Sequence, residues 1–204
     1  VYGIALQRHL QLEQDLPEED IRAVHARIGD RLTFSKHWGS VSEDDGLVKK
    51  LRHCIKGLGC EVLVLDHISM AVSGLDASAD ERRSLDKLMT DLRSLVEETG
   101  VHLFIVSHLR RAKDGSHEEG KAVSTADLRG SHSLGQIPDN IIALERNQQA
   151  EDPMERNITT VRILKNRDLG TLGPIQGLSF NPASHTLTEA PLKSQPTATY
   201  EDFS

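Results

Sequence analysis

The chain is short of cysteine, aromatic side chains and long apolar runs, and each shortage narrows its class. Its two cysteines, Cys54 and Cys60, sit in apolar sequence, which predicts reduced core thiols in an intracellular, cytoplasmic protein. They offer no zinc-ligand spacing, and the ten histidines are scattered. No apolar stretch approaches the roughly 18–20 residues that a membrane span needs. Neither the basic flank nor the small-residue cleavage site of a signal peptide follows Val1, and an initiator methionine is missing, so the chain is expected to start within a longer protein. Aromatics make up 3% of the residues, which leaves few stacking platforms for bases. Positive charge is also in deficit. The net charge of −7 argues against a protein that coats nucleic acid, while leaving room for a few cations inside an assembled channel.

What is present fits a globular domain: 204 residues, of which 37% are apolar and 27% charged. Residues 1–13 have a helical pattern, and Pro17 followed by Glu18, Glu19 and Asp20 opens a helix through about Ile28. Leu32–Phe34 is a short candidate strand. A third helix is expected from Ser42, with Asp45 three residues on, burying Leu47, Leu51, Cys54 and Leu58. Val62–Leu65 is continuously apolar, as in a strand covered on both faces. Ser78 and Glu81 form a capping box for a long helix with the stripe Leu85, Leu88, Met89, Leu92, Leu95 and Val96, ended by Gly100. Val101–Ser107 is the next strand. This order makes the helix a crossover between parallel strands and predicts a three-layer α/β fold with a mainly parallel sheet. A helix near Thr125–Ile137, strands at Ile141–Glu145 and Ile158–Lys165, and a hairpin through Leu178–Phe180 and Thr186–Leu187 complete a domain over residues 1–190. Residues 191–204, rich in Pro, Ser, Thr and Ala, read as a flexible tail.

Ligands of open parallel sheets bind at the carboxyl ends of the strands. Asp66 stands at such an end, where a carboxylate suits the Mg²⁺ of a bound nucleotide. Ser107 and His108 end the neighbouring strand, and a histidine there could hydrogen-bond a terminal phosphate. Gly115–Ala122 nearly spells a phosphate-binding loop but fails on chemistry. Ala122 stands where the metal-binding hydroxyl belongs, Glu118 and Glu119 would repel phosphate, and the flanking strand and helix are missing. No other G-x-x-x-x-G-K-[ST] pattern occurs.

Several longer stretches carry a resemblance. Leu58–Cys60 through Asp66-His67-Ile68-Ser69, Asp80–Arg82, Val106–Leu109, His117–Gly120, Asp127–Ser131, Ile142–Gln149 and Val161–Arg167 together resemble the helicase half of short-tailed-phage helicase–primases, within the DnaB-like, superfamily-four hexameric helicases. The resemblance covers about residues 40–181 and implies the C-terminal part of a RecA-like motor, incomplete at its N-terminal side. It implies ATP or another NTP with Mg²⁺ as cofactors, a hexameric ring of like subunits, and single-stranded DNA threaded through the ring during 5′→3′ unwinding. Asp66 then corresponds to the Walker B magnesium ligand and His108 to the phosphate sensor. Gln136 links the nucleotide site to the DNA loops, and Arg146 and Phe180 sandwich the base. By the same resemblance Arg167 matches the arginine finger that reaches a neighbouring subunit, with Lys165 beside it. Arg110, Arg111, Lys113 and Lys121 lie in the loop that grips the DNA backbone. Gly135 departs from the pattern, standing where phage relatives carry arginine. The resemblance places the phosphate loop and the catalytic glutamate before residue 1, so the intact protein is expected to be an ATPase and these residues alone are not. It also implies that Phe203, in the acidic tail, docks on a replicative DNA polymerase. Two other readings compete. A RecA-like strand-exchange ATPase shares the core sheet but matches Asp127–Ser131 and Leu144–Asn147 less well. The other is a catalytically silent ring or partner-binding module.

Overall fold

Apolar residues at three- and four-residue spacing organise the core. The computed structural model describes residues 17–34, 46–71, 78–110, 116–130 and 132–192. Helix α1 (Glu18–Ile28) runs into a 3-10 turn at Gly29–Arg31. Helix α2 (Leu47–Leu58), strand β1 (Val62–Leu65), a short α3 (Ile68–Ala71), the long α4 (Ser78–Thr99) and β2 (His102–Ile105) follow. A 3-10 turn at Thr125–Asp127, α5 (Ser133–Gln136), β3 (Asn140–Arg146), α6 (Pro153–Arg156), β4 (Ile158–Asn166), β5 (Gly173–Asn181) and β6 (Thr186–Ala190) complete the order.

The expected stripe of α4 is buried from Leu85 to Leu95, with Val96 at its margin. It packs with Leu47, Ile68 and Leu134, and with Leu65, Leu103 and Ile105 from the strand pair. Gly100 ends the helix at φ 71°, and its N–H donates to the Val96 carbonyl at 2.8 Å. Leu92 is 1% exposed. Leu92→Ala should therefore lose about 2–5 kcal/mol of stability, because the packed stripe can close only partly over the gap. A shift of the urea midpoint at unchanged m-value measures it, and a loss below about 1 kcal/mol would contradict this account of the core.

The crossover is confirmed: β1 and β2 are parallel, with Val62 opposite His102 and Leu65 opposite Ile105. Three expectations are corrected. The first concerns the sheet, which is not mainly parallel among the described residues. The parallel pair is separate from a four-stranded antiparallel sheet in the order β3-β4-β5-β6. Apolar content marks a strand but does not encode its direction. The second concerns the layers. Leu63 is buried, whereas Val62, Val64 and Phe104 are 56%, 68% and 52% exposed, so the helical layer covers one face of β1 and β2 and the opposite face is open. The third concerns local structure. Leu32–Phe34 forms no strand, Leu58 is exposed, and the helix expected over Thr125–Ile137 is a 3-10 turn and a single short α-helix. Gly130 separates these two at φ 118°, and a Cβ there would lie 2.5 Å from Leu85 Cδ2. A continuous helix cannot pass through that conformation. The expected helix at 1–13, the helix start at Ser42, the side chains of Ser78 and Glu81, and the tail beyond residue 192 lie outside the described residues.

Candidate functional site

The parallel pair delivers its carboxyl ends to one edge. Val106 N–H donates to the Leu65 carbonyl at 2.9 Å and Ile68 N–H to the Val106 carbonyl at 3.0 Å, which locks the segment after β1 against the segment after β2. The Asp66–His67 peptide bond is cis. The rings of His67 and His108 meet edge to face at 4.1 Å between centroids, so His108 stands beside the residue next to Asp66. Asp66 is exposed and makes no hydrogen bond or ion pair among the described residues. His67 was not singled out by sequence; its contact is tertiary.

Lys165 lies at the end of β4 and Arg167 immediately follows it, and the two converge on α5. Lys165 Nζ donates to the carbonyls of Gly135 (3.1 Å) and Gln136 (2.6 Å). Arg167 donates from Nη2 to the Gln136 carbonyl (3.2 Å) and from Nη1 to Asp139 Oδ1 (2.8 Å). The last carbonyls of a helix lack intrahelical donors and carry partial negative charge, so two cations suit them. Burial and the neighbouring Arg167 hold the Lys165 ammonium below its ordinary value. Thus Gln136, Lys165 and Arg167 are brought together, with Gly135 contributing a carbonyl. Asp139 was missed, since nothing local in sequence ties it to a strand that begins nineteen residues later.

Arg146 and Phe180 both reach Asn157. Arg146 donates through Nε to the Arg156 carbonyl and through Nη2 to Asn157 Oδ1 (3.1 Å), while the Phe180 N–H donates to the Asn157 carbonyl (2.9 Å). A cleft of about 400 Å³ is lined by Arg146, Gln148, Pro153, Arg156 and Asn157, without the Phe180 ring. The guanidinium is thereby fixed in orientation before any ligand enters.

The loop after His108 is only partly described. Arg110 is exposed, with its N–H on the Asp127 carbonyl (2.7 Å) and Nη2 at 3.5 Å from the Gly130 carbonyl. Lys121 is exposed; Arg111 and Lys113 lie outside the described residues. The near-match to a phosphate loop is a turn docked on β3. Glu119 and Gly120 N–H groups donate to Ser116 and His117 carbonyls, the Glu119 carboxylate accepts from the Ser116 N–H, and Gln148 N–H donates to the Glu118 carbonyl. Its donors face its own chain, which agrees with the sequence-based rejection. Among the described residues no cluster of three or more His, Cys, Asp or Glu side chains could hold a metal, and no helix is long and apolar enough to cross a membrane.

Similarity to known proteins extends over most of the chain. The DnaB-like helicase C-terminal domain matches residues 14–188. A DNA helicase/primase of Enterobacteria phage T3 is 46% identical over 153 residues, covering 71% of this chain and 26% of that protein. The chain therefore spans about a quarter of that relative's length. A solved DnaB-like replicative helicase, studied with its primase interactions, superposes with a TM-score of 0.62 at 20% identity, covering 85% of this chain and 41% of that one. A KaiC-like protein from Pyrococcus horikoshii shares the fold at TM-score 0.54 and 15% identity, covering 85% of this chain and 70% of that one. With the matched family spanning most of its length and a phage helicase/primase 46% identical over 153 aligned residues, the chain belongs to the DnaB-like helicase C-terminal domain family.

Proposed function

We propose that this chain forms the C-terminal part of the motor of a ring-shaped replicative DNA helicase, which uses ATP or another NTP to move along single-stranded DNA and unwind the duplex. The observation that carries the reading is the shared edge of β1 and β2, where Asp66 follows one strand and the ring of His67, the next residue, meets that of His108 after the other. The residues fit a Mg²⁺–nucleotide in part. Mg²⁺ is usually held by one or two carboxylates plus phosphates and waters, so the single free carboxylate of Asp66 is an adequate protein ligand. When bound, the ion neutralises charge on the phosphate oxygens. Arg146 and Phe180 would hold the base beside the cleft at Asn157, and His108 would hydrogen-bond the terminal phosphate. Arg167 and Lys165 would present positive charge to the nucleotide of an adjoining subunit in a hexamer. Arg110, Arg111, Lys113 and Lys121 would line the DNA channel, and the acidic tail with Phe203 would dock on the polymerase. A strand-exchange ATPase is not favoured by any contact described here.

The 204 residues contain no phosphate loop, which supplies backbone donors and a lysine to the β- and γ-phosphates. The purified chain should accordingly show no Mg²⁺-dependent ATP hydrolysis. Within the full helicase, Asp66→Ala should lower single-stranded-DNA-stimulated hydrolysis by at least about a hundredfold, because several kcal/mol of charge stabilisation is lost with the metal. Turnover by the chain alone, or normal unwinding of a forked duplex by Asp66→Ala, would refute the assignment.

A further inference from the structure

Asp139 joins three separate parts of the fold through one carboxylate. Its Oδ1 accepts from Arg167 Nη1 at 2.8 Å and its Oδ2 from Arg93 Nη1 at 2.7 Å. Arg93 lies on α4, where its Nε is also held by Glu97 at 2.7 Å. The backbone completes the tie, since the Arg167 N–H donates to the Asp139 carbonyl at 3.0 Å. Asp139 immediately precedes β3 and Arg167 immediately follows β4, with Asn140 opposite Asn166 in register.

We infer that Asp139 is a positioning residue for Arg167: it holds the guanidinium so that its remaining N–H groups face a nucleotide. A guanidinium has five N–H donors in a rigid planar fork. One is committed to Asp139 and one to the Gln136 carbonyl. Two bonds from different directions fix the plane, and three donors stay available for phosphate oxygens. Arg93 fixes the carboxylate from the other side, so Asp139 cannot follow Arg167 if the arginine swings away. Arg167 is otherwise a long, half-exposed side chain whose free rotamers would scatter its charge. Pre-ordering it before the phosphate arrives lowers the reorganisation needed during reaction. Asp139 acts through Arg167, to which its carboxylate is bonded, and the inference rests on the proposed role of that arginine.

The test is steady-state ATPase of the full helicase with single-stranded DNA, on Asp139→Ala, Asp139→Asn, Arg93→Ala, Arg167→Ala and the double variant Asp139→Ala/Arg167→Ala. Asp139→Ala should lower kcat by about tenfold to a hundredfold with KM for ATP little changed, as misplacement of a catalytic group by about 1 Å can cost 10²-fold. The double variant should be no slower than Arg167→Ala alone. Asp139→Asn, which keeps one acceptor oxygen for Arg167, should retain more activity than Asp139→Ala, and Arg93→Ala should fall between wild type and Asp139→Ala. Asp139 is partly exposed, so thermal unfolding should change little, and a circular-dichroism melt checks this. Normal kcat for Asp139→Ala beside an inactive Arg167→Ala overturns this inference and leaves the finger standing. Full activity of Arg167→Ala overturns the finger, and the inference with it. Additive losses in the double variant also overturn it, by showing that Asp139 acts elsewhere.

Discussion

Arg167→Ala in the full helicase is expected to nearly abolish ATP hydrolysis while sparing nucleotide binding and the fold. The stability side is small: Arg167 is half-exposed, and an exposed ion pair contributes about 0–1 kcal/mol. The chemical side is large, because an arginine finger on the transferring phosphoryl group is worth roughly 10³ to 10⁵ in rate. A second experiment asks which subunit the arginine serves. Asp66→Ala should be inactive for a different reason, loss of a metal ligand at its own site. Mixing the two inactive variants in one ring places some intact Asp66 sites next to an intact Arg167, so ATPase should partly return and vary with mixing ratio. If Arg167 served its own subunit, every site in the mixture would lack one component. Absence of recovery after subunit exchange has been demonstrated would therefore count against action across the interface. Undiminished activity of Arg167→Ala alone would remove the catalytic role.

Glu145→Ala should cost about 3–5 kcal/mol, the usual penalty for leaving one member of a buried ion pair alone. On β3, Ile141, Ala143 and Glu145 face inward while Ile142 and Leu144 face outward. Arg162 stands opposite Ala143 in register and so reaches Glu145 diagonally across the same face. Its Nε donates to Glu145 Oε1 at 2.6 Å, with the two side chains only 14% and 7% exposed. The same oxygen accepts the Val123 N–H at 2.7 Å and anchors the end of the loop that carries Lys121. Truncation thus strands a guanidinium and a backbone donor together. Replacing both partners, Glu145→Leu with Arg162→Leu, should recover the part of the loss that comes from the unpaired charge, while the Val123 N–H still lacks its acceptor. Urea unfolding of these two variants beside the unsubstituted protein measures this. A cost below about 1 kcal/mol for Glu145→Ala would show that water or another group takes the place of the carboxylate.

Both effects depend on partners that no sequence window contains. The stripe of α4, its stop at Gly100, the crossover from β1 to β2 and the placing of Asp66 and His108 at strand ends all follow from local spacing. They were legible for that reason. Lys165 and Arg167, by contrast, resemble an ordinary solvated strand end until α5 and Asp139 close around them. The split of the expected 125–137 helix turns on Gly130 meeting Leu85, a residue 45 positions away. Likewise the Val62–Leu65 run reveals a strand but not which of its faces finds a cover, because coverage is a property of the other elements. Of the candidate site residues, Arg111, Lys113 and the tail aromatic Phe203 lie outside the described residues, and their roles rest on the resemblance.

The open side of β1 and β2 has a consequence for the solubility of the molecule. Val62, Val64 and Phe104 point outward together with His102, whose ring lies 4.6 Å from that of Phe104, and they form an exposed, largely apolar patch on a chain of net charge −7. Net negative charge opposes association between copies, and salt screens that repulsion within a few ångströms at high ionic strength. Strongly hydrated anions such as sulfate strengthen the attraction between apolar patches at the same time. Salting-out should accordingly draw on this patch well before any loss of folded structure, and a charge placed at position 64 would move the solubility limit more than the same charge placed on the polar side of α4.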